Sequence, residues 1–190
     1  MSKIVCPDSC IGELSTFNFS DCAGVYNKGG IWRIYLTNIG YPFPDPNVMG
    51  EPAAMAAFLA RLSNSSVNPN AIRVLTVIGN KPVPGKTEIN TAEDQKIYMA
   101  KDHSIPFKID QVSDENYEAM RMTECNNKFL MVYEGGDFMF GGENDFGDGI
   151  EVSMTMDDLH PESSKELNTI EGIITWSAKF HPVRVNNFIR

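Results

Sequence analysis

The stretch GIEVSMTMDDLHPESSKELNTIEGIITWSAKFHP, residues 149–182, decides the fold. Ile150, Val152, Met154 and Met156 alternate with Glu151, Ser153 and Thr155, so one face is apolar and the other polar, the period-two pattern of a half-buried strand. From Thr169 to His181 the pattern returns. Ile170, Ile174, Trp176, Ala178 and Phe180 share one face, while Glu171, Thr175, Ser177 and Lys179 share the other, and Gly172 and Ile173 blur it. Residues 157–168 are rich in turn formers and join the two runs as an antiparallel pair, which predicts the core of a sheet. A strand from Thr169 to His181 would run about 43 Å at ~3.3 Å per residue, so it is expected to bend at Gly172 or to extend past the body of the domain.

Other stretches carry the same kind of signal. Ile31–Asn38 is rich in β-branched and aromatic residues, with Trp32, Ile34 and Leu36 on one face. Residues 71–80 are apolar on both faces, which predicts a central strand. Residues 86–91 and 96–110 read as extended, and Lys128–Glu134 leads through a Gly135-Gly136-Asp137 hairpin turn to Phe138–Phe140. Two short helices are expected. One follows Pro52, with Met55, Phe58, Leu59 and Leu62 on its packing face. Ala53, Ala56, Ala57 and Ala60 leave it a small-residue face suited to a subunit interface or to internal packing. The other runs from an N-cap at Ser113, with Val112 as a staple, to about Cys125. The fold class is therefore mainly β: an antiparallel β-sandwich or barrel with two short helices packed outside. Its expected core includes Trp32, Ile34, Leu36, Ile174, Trp176 and Phe180. Residues 1–29 read as an extended N-terminal arm, 30–182 as the core domain and 183–190 as a C-terminal tail.

At 190 residues and 42% hydrophobic content, the chain is sized for one domain, and no apolar run approaches the ~20 residues of a membrane span. Met1–Cys10 lacks the basic start and apolar stretch of a secretory signal, so the cytoplasm is the expected place of synthesis and assembly. The net charge of −9 argues against a protein that wraps nucleic acid by counterion release. That charge is concentrated: no Lys or Arg lies between Lys128 and Lys165, where Glu134, Asp137, Glu143, Asp145, Asp148, Glu151, Asp157, Asp158 and Glu162 all fall.

Catalytic and metal signatures are weak. Cys6, Cys10, Cys22 and Cys125 lack the paired short spacings of a structural zinc site and read as free thiols. Gly85-Lys86-Thr87 ends like a phosphate loop, but Asn80 stands where its first glycine belongs. Residues 143–149 offer oxygens to a calcium ion without the alternating acidic pattern, and a solvated hairpin tip is the simpler reading. His103, His160 and His181 sit far apart in the sequence, no spacing couples them to one another or to a nucleophile, and they read as structural edge residues rather than as members of a triad assembled by the fold. No cofactor, metal or catalytic residue is expected, and the chain reads as a building block rather than an enzyme.

The segment Asp21–Asn38, containing GGIWRIYLTN, and residues 149–182, containing IEGIITWSAKFHP, together resemble virion neck and tail proteins of tailed phages infecting Bacteroides-type hosts. These include the ring proteins of crAss-like phages and, more distantly, tail-tube proteins. The middle of the chain is compatible, through Glu124-Cys125 and Tyr133-Glu134-Gly135-Gly136. The resemblance implies a tail-tube-like β core, a closed ring of identical subunits, neighbouring neck or tail proteins as partners, transient passage of DNA through the conduit, and a place in the virion. On that footing Asp137, Glu143, Asp145 and Asp148 are candidates to line the channel, and Ala53, Ala56, Ala57 and Ala60 to form the subunit interface. The competing expectation is a carbohydrate-binding or adhesin-like β-sandwich, with Tyr41, Phe138, Phe140 and Trp176 as sugar-stacking platforms. For Trp176, packing within the apolar strand face is the stronger reading.

Overall fold

A computed structural model describes residues 30–63, 68–79, 85–90, 96–109, 114–125, 127–159 and 169–189. The expected arm 1–29, the Ser113 cap with its Val112 staple, and the side chain of Trp32 lie outside the described residues. The strands are β1 (Ile31–Thr37), β2 (Arg73–Gly79), β3 (Gly85–Asn90), β4 (Lys96–Ile109), β5 (Lys128–Gly135), β6 (Phe138–Phe140), β7 (Ile150–Leu159), β8 (Thr169–Ala178) and β9 (Arg184–Asn186). The helices are α1 (Pro46–Met49), α2 (Glu51–Arg61) and α3 (Asp114–Cys125). The fold is mainly antiparallel β-sheet with short helices. The helix α1 is additional to the two expected, and it forms because Asp45 caps it and Pro46 occupies its first turn.

The sheet follows the order β2-β1-β5-β7-β8-β4-β3, with β6 pairing with β5 and β9 with β6. The opening pair of the sequence analysis is the β7–β8 ladder, running from Ser153↔Thr175 to Leu159↔Thr169. β8 continues through Gly172 without leaving its ladder with β4, where Gly172 faces Phe107. A Cβ at Gly172 would collide with the Phe107 ring, so glycine here makes room for the aromatic opposite it. The strand ends at Ala178, which corrects the expected run to His181. Phe180 lies beyond the ladder in a bend and is 41% exposed, so it is not a core residue.

β2 is also corrected. Among the described residues it pairs with β1 alone and ends the sheet path rather than occupying its centre. Its two apolar faces have another cause: Leu75 packs on one hydrophobic cluster and Val74 on a second, on opposite sides of the sheet. β2 also lies against β4, the strand next to the far end of the path.

The first cluster gathers Ile34, Leu36, Met131, Tyr133, Val152, Met154, Ile105, Phe107, Ile174, Trp176 and Ala178 from the inner faces of five strands. The expected core residues Ile34, Leu36, Ile174 and Trp176 are all in it. The second cluster lies on the other face, under α2. Tyr35 and Val132 alternate with the inner residues of β1 and β5 and meet Phe58, Ala54, Phe43, Phe146 and Phe188 there. Both faces of β1 and β5 are therefore buried. Residues 183–190, read as a tail, contribute β9 and bury Val185 and Phe188 in this second cluster.

Candidate functional site

The acidic glycine loop between β6 and β7 is folded around one apolar anchor. Phe146 is fully buried and meets Phe188 edge-on with ring centroids 5.8 Å apart. The loop is tied to the segment before α1: Phe43 N–H donates to the Gly147 carbonyl (2.7 Å), and Gly147 N–H donates to Asp45 Oδ2 (3.4 Å). At Gly147 a Cβ would sit 2.8 Å from the Phe43 carbonyl oxygen, so the glycine permits this close approach. Asp45 also accepts from Asn47 N–H (2.8 Å), capping α1. Burial, and after it a hydrogen bond with the neighbouring Asp145 carboxyl, holds the Asp45 carboxyl above its ordinary range.

The four acids expected to line a channel thus have different surroundings. Asp137, in the β5–β6 turn, and Asp148 are exposed. Asp145 is half-buried against Asp45, and Glu143 is half-buried, accepting from Lys179 N–H (3.0 Å). Glu134, from the same basic-free stretch, is buried on the helix side of β5. There Tyr35 Oη donates to its Oε2 (3.3 Å) and Arg33 Nη1 lies 3.6 Å away. It is a structural carboxylate, paired where both strands are covered. Burial first, and the nearby Glu134 charge second, push the Tyr35 phenol up from its ordinary value.

The alanine-rich helix splits differently from its expected wheel. Phe58 and Ala54 are fully buried and Met55 and Leu62 pack beside them, but Leu59 is 47% exposed and leaves the packing face. The reason is geometric: Ala54 and Phe58, four residues apart, centre the buried stripe, and Leu59 stands about 100° round from Phe58. The outward side then consists of Pro52, Ala53, Ala56, Leu59 and Ala60, with Ala57 at its margin and no charged side chain. Arg61 closes the helix by donating to the carbonyls of Asn70 (2.8 Å), Pro42 (2.6 Å) and Tyr41 (3.4 Å). In the adjoining α1, Val48 is 75% and Met49 48% exposed, and the exposed Glu51 separates them in the chain from the outward alanines of α2.

The aromatic candidates are mostly engaged within the fold. Trp176 is buried, stacked on His103 at 4.8 Å and tilted against Tyr133 at 6.5 Å. Phe140 stacks on Tyr133 at 4.9 Å, and Arg184 covers Phe138 at 4.3 Å. Tyr41 is 38% exposed. Gly85-Lys86-Thr87 opens strand β3 rather than a helix. His181 meets Lys101 at 3.2 Å; His160, Cys6, Cys10 and Cys22 lie outside the described residues, and Cys125 is exposed. Among the described residues no group of three or more His, Cys, Asp or Glu side chains is placed to hold a metal ion, and no helix is long and apolar enough to cross a membrane.

Sequence reasoning missed the Asp45–Asp145 contact, the Glu134–Tyr35 pair and the exposure of Leu59. The one available signal was the placement of Asp45 directly before Pro46, an N-cap signature. No protein family, curated protein or solved structure matches the chain.

Proposed function

We propose that this protein is a structural subunit of a tailed-phage virion, joining copies of itself in a closed ring of the neck or tail through which DNA passes. The observation that carries the reading is the outward face of α2 and α1. In a chain of net charge −9, Val48, Met49, Ala53, Ala56, Leu59 and Ala60 are all exposed, and Glu51 at the junction of the two helices is the one exposed charged residue within residues 46–60. Apolar surface of this kind is stabilised by covering it, and small residues let a second backbone approach closely.

The resemblance of residues 21–38 and 149–182 to neck and tail proteins supports the virion setting. The acidic surface supports a conduit. Each subunit repeats the same exposed acids, so a ring gathers copies of Asp137 and Asp148, with the half-buried Glu143 and Asp145 in the same loop as Asp148 and the cations Lys179 and Arg184 bordering them. Phosphates slide past such a wall, whereas a basic wall would retain them. The partners of this reading are further copies of the chain and neighbouring neck or tail proteins. The sugar-binding alternative is weakened because Trp176 is buried and Phe138 and Phe140 already have partners.

Imaging the assembled particle by electron cryomicroscopy tests this. The expected map is a ring with the α1–α2 face between subunits and Asp137 and Asp148 toward the lumen. A ring with those acids on its outer wall removes the conduit lining, and a particle without a ring removes the assembly.

A further inference from the structure

Several described basic side chains are matched by the fold. Arg33, Lys108 and Lys128 lie 3.5–3.7 Å from Glu134, Glu171 and Glu151 respectively, and Arg61 is spent on carbonyls. The segment leaving β8 is different. Lys101, opposite Ala178 at the end of the β4–β8 ladder, has its Nζ 3.2 Å from His181 Nε2. Lys179 Nζ lies over the exposed Phe180 ring at 5.3 Å, and Arg184 follows over Phe138. Among the described residues none of these three cations is in ion-pair range of a carboxylate. Two acids stand nearby and are otherwise bonded: Glu143 to the Lys179 N–H and Asp102 to the Ser177 hydroxyl.

The opposite end of the same ladder has the opposite sign. It closes at Ile109↔Ile170, and the chain then enters α3, whose sequence DENYEAMRMTEC holds four acids against Arg121. Asp114, Tyr117 and Glu124 are exposed on it, and α3 packs along β7. A cation-and-phenyl surface thus stands at one end of the β4–β8 ladder, while the acid-and-phenol helix α3, entered after the other end, packs along β7 and leads to Asn127 beside Met154.

We propose that the Lys101–Lys179–Phe180 surface docks the α3 surface of a second copy of this chain, head to tail. The inference rests on the ring reading and deepens it by naming one of its contacts. Charge decides the occupant: copies at −9 repel each other overall, so they approach most readily where a surface of cations outside ion-pair range of a carboxylate meets an acidic one. A contact between two different surfaces is heterologous and propagates, closing into a ring or stacking into a tube according to its rotation.

The test uses the full chain in analytical ultracentrifugation at low and physiological salt, with circular dichroism to verify folding. Lys101→Glu with Lys179→Glu, and separately Asp114→Lys with Glu124→Lys, should each weaken self-association at least about tenfold. An equimolar mixture of the two variants should restore it, because each reversed surface then meets a reversed partner. Rescue requires both variants to be folded, so a folding defect cannot imitate it. If both variants are folded and assemble like the parent, or the mixture fails to rescue, the inference is overturned while the ring reading stands. If the parent chain is monomeric at every concentration, the ring reading fails and this contact with it. If the reversals spare assembly but abolish retention of a DNA duplex, the surface binds nucleic acid instead, and the inference is likewise overturned.

Discussion

Truncating Trp176 to alanine tests the β7–β8 core most sharply. Its indole is 6% exposed, lies between Ile174 and Ala178 on the inner face of β8, stacks on His103 at 4.8 Å and leans on Tyr133 at 6.5 Å. An aromatic side chain buries about 150–250 Å². At about 25 cal/mol per Å² that is about 4–6 kcal/mol, an upper bound because the unfolded chain already hides some surface. Truncations of buried aromatics, with their cavity contribution, cost about 3–5 kcal/mol, a large share of the roughly 5–15 kcal/mol that holds a domain folded. The assay is urea denaturation followed by far-ultraviolet circular dichroism, which avoids the altered fluorescence of the variant. A midpoint shift worth about 3 kcal/mol or more at unchanged slope is expected. Phe180→Ala is the internal comparison: at 41% exposure and outside the ladder, it should cost less than about 1 kcal/mol. A Trp176 effect below about 1 kcal/mol, or equal effects at the two sites, would refute the packing described and reopen a role for Trp176 as an exposed platform.

Three further outcomes follow from other parts of the fold. Gly172→Ala drives a methyl group into the Phe107 ring and should cost about 1–3 kcal/mol, while Gly172→Ala combined with Phe107→Leu should recover part of that loss in the same denaturation assay. The Asp45 carboxyl is held above its ordinary range by burial and by Asp145. The folded chain therefore keeps a proton that the unfolded chain has released. Its contribution to stability is complete below the unfolded pKa and is lost as pH rises through the raised folded value. Asp145→Asn removes the like charge and should partly flatten that loss in thermal melts between about pH 4 and about pH 7; an unchanged pH profile refutes the pairing. Ala56→Arg, on the outward side of α2, should leave the melting temperature nearly unchanged but reduce the multimeric fraction in size-exclusion chromatography with light scattering, and an intact multimer would place the interface elsewhere.

Much of the sheet was legible because alternation is a local signal. The strict period of Ile150–Met156 and the β-branched run at Ile31–Asn38 name their own strands, and the hairpin turn at Gly135-Gly136-Asp137 joins two more. What alternation cannot tell is whether the second face is also covered. Tyr35 and Val132 alternate correctly with the inner core and are buried all the same, because α2, the loop around Phe146 and the C-terminal Phe188 cover that side. Contacts at long sequence separation put these groups there, and the same separation hid the burial of Glu134 under Tyr35. Strand ends were the other weak point. Phe180 continues the apolar pattern of β8 but falls two residues after its last ladder position, so pattern alone assigned it to the core. The candidate site was legible in composition more than in geometry. The acids of residues 137–148 and the alanines of α2 stand out in the sequence, while their sorting into exposed, half-buried and inward-facing groups depends on the fold.

Native mass spectrometry of the full chain, recorded over a range of protein concentrations, tests the central claim most directly. The account predicts a single defined multimer that persists on dilution. A chain that stays monomeric throughout and retains glycans when they are added would contradict it.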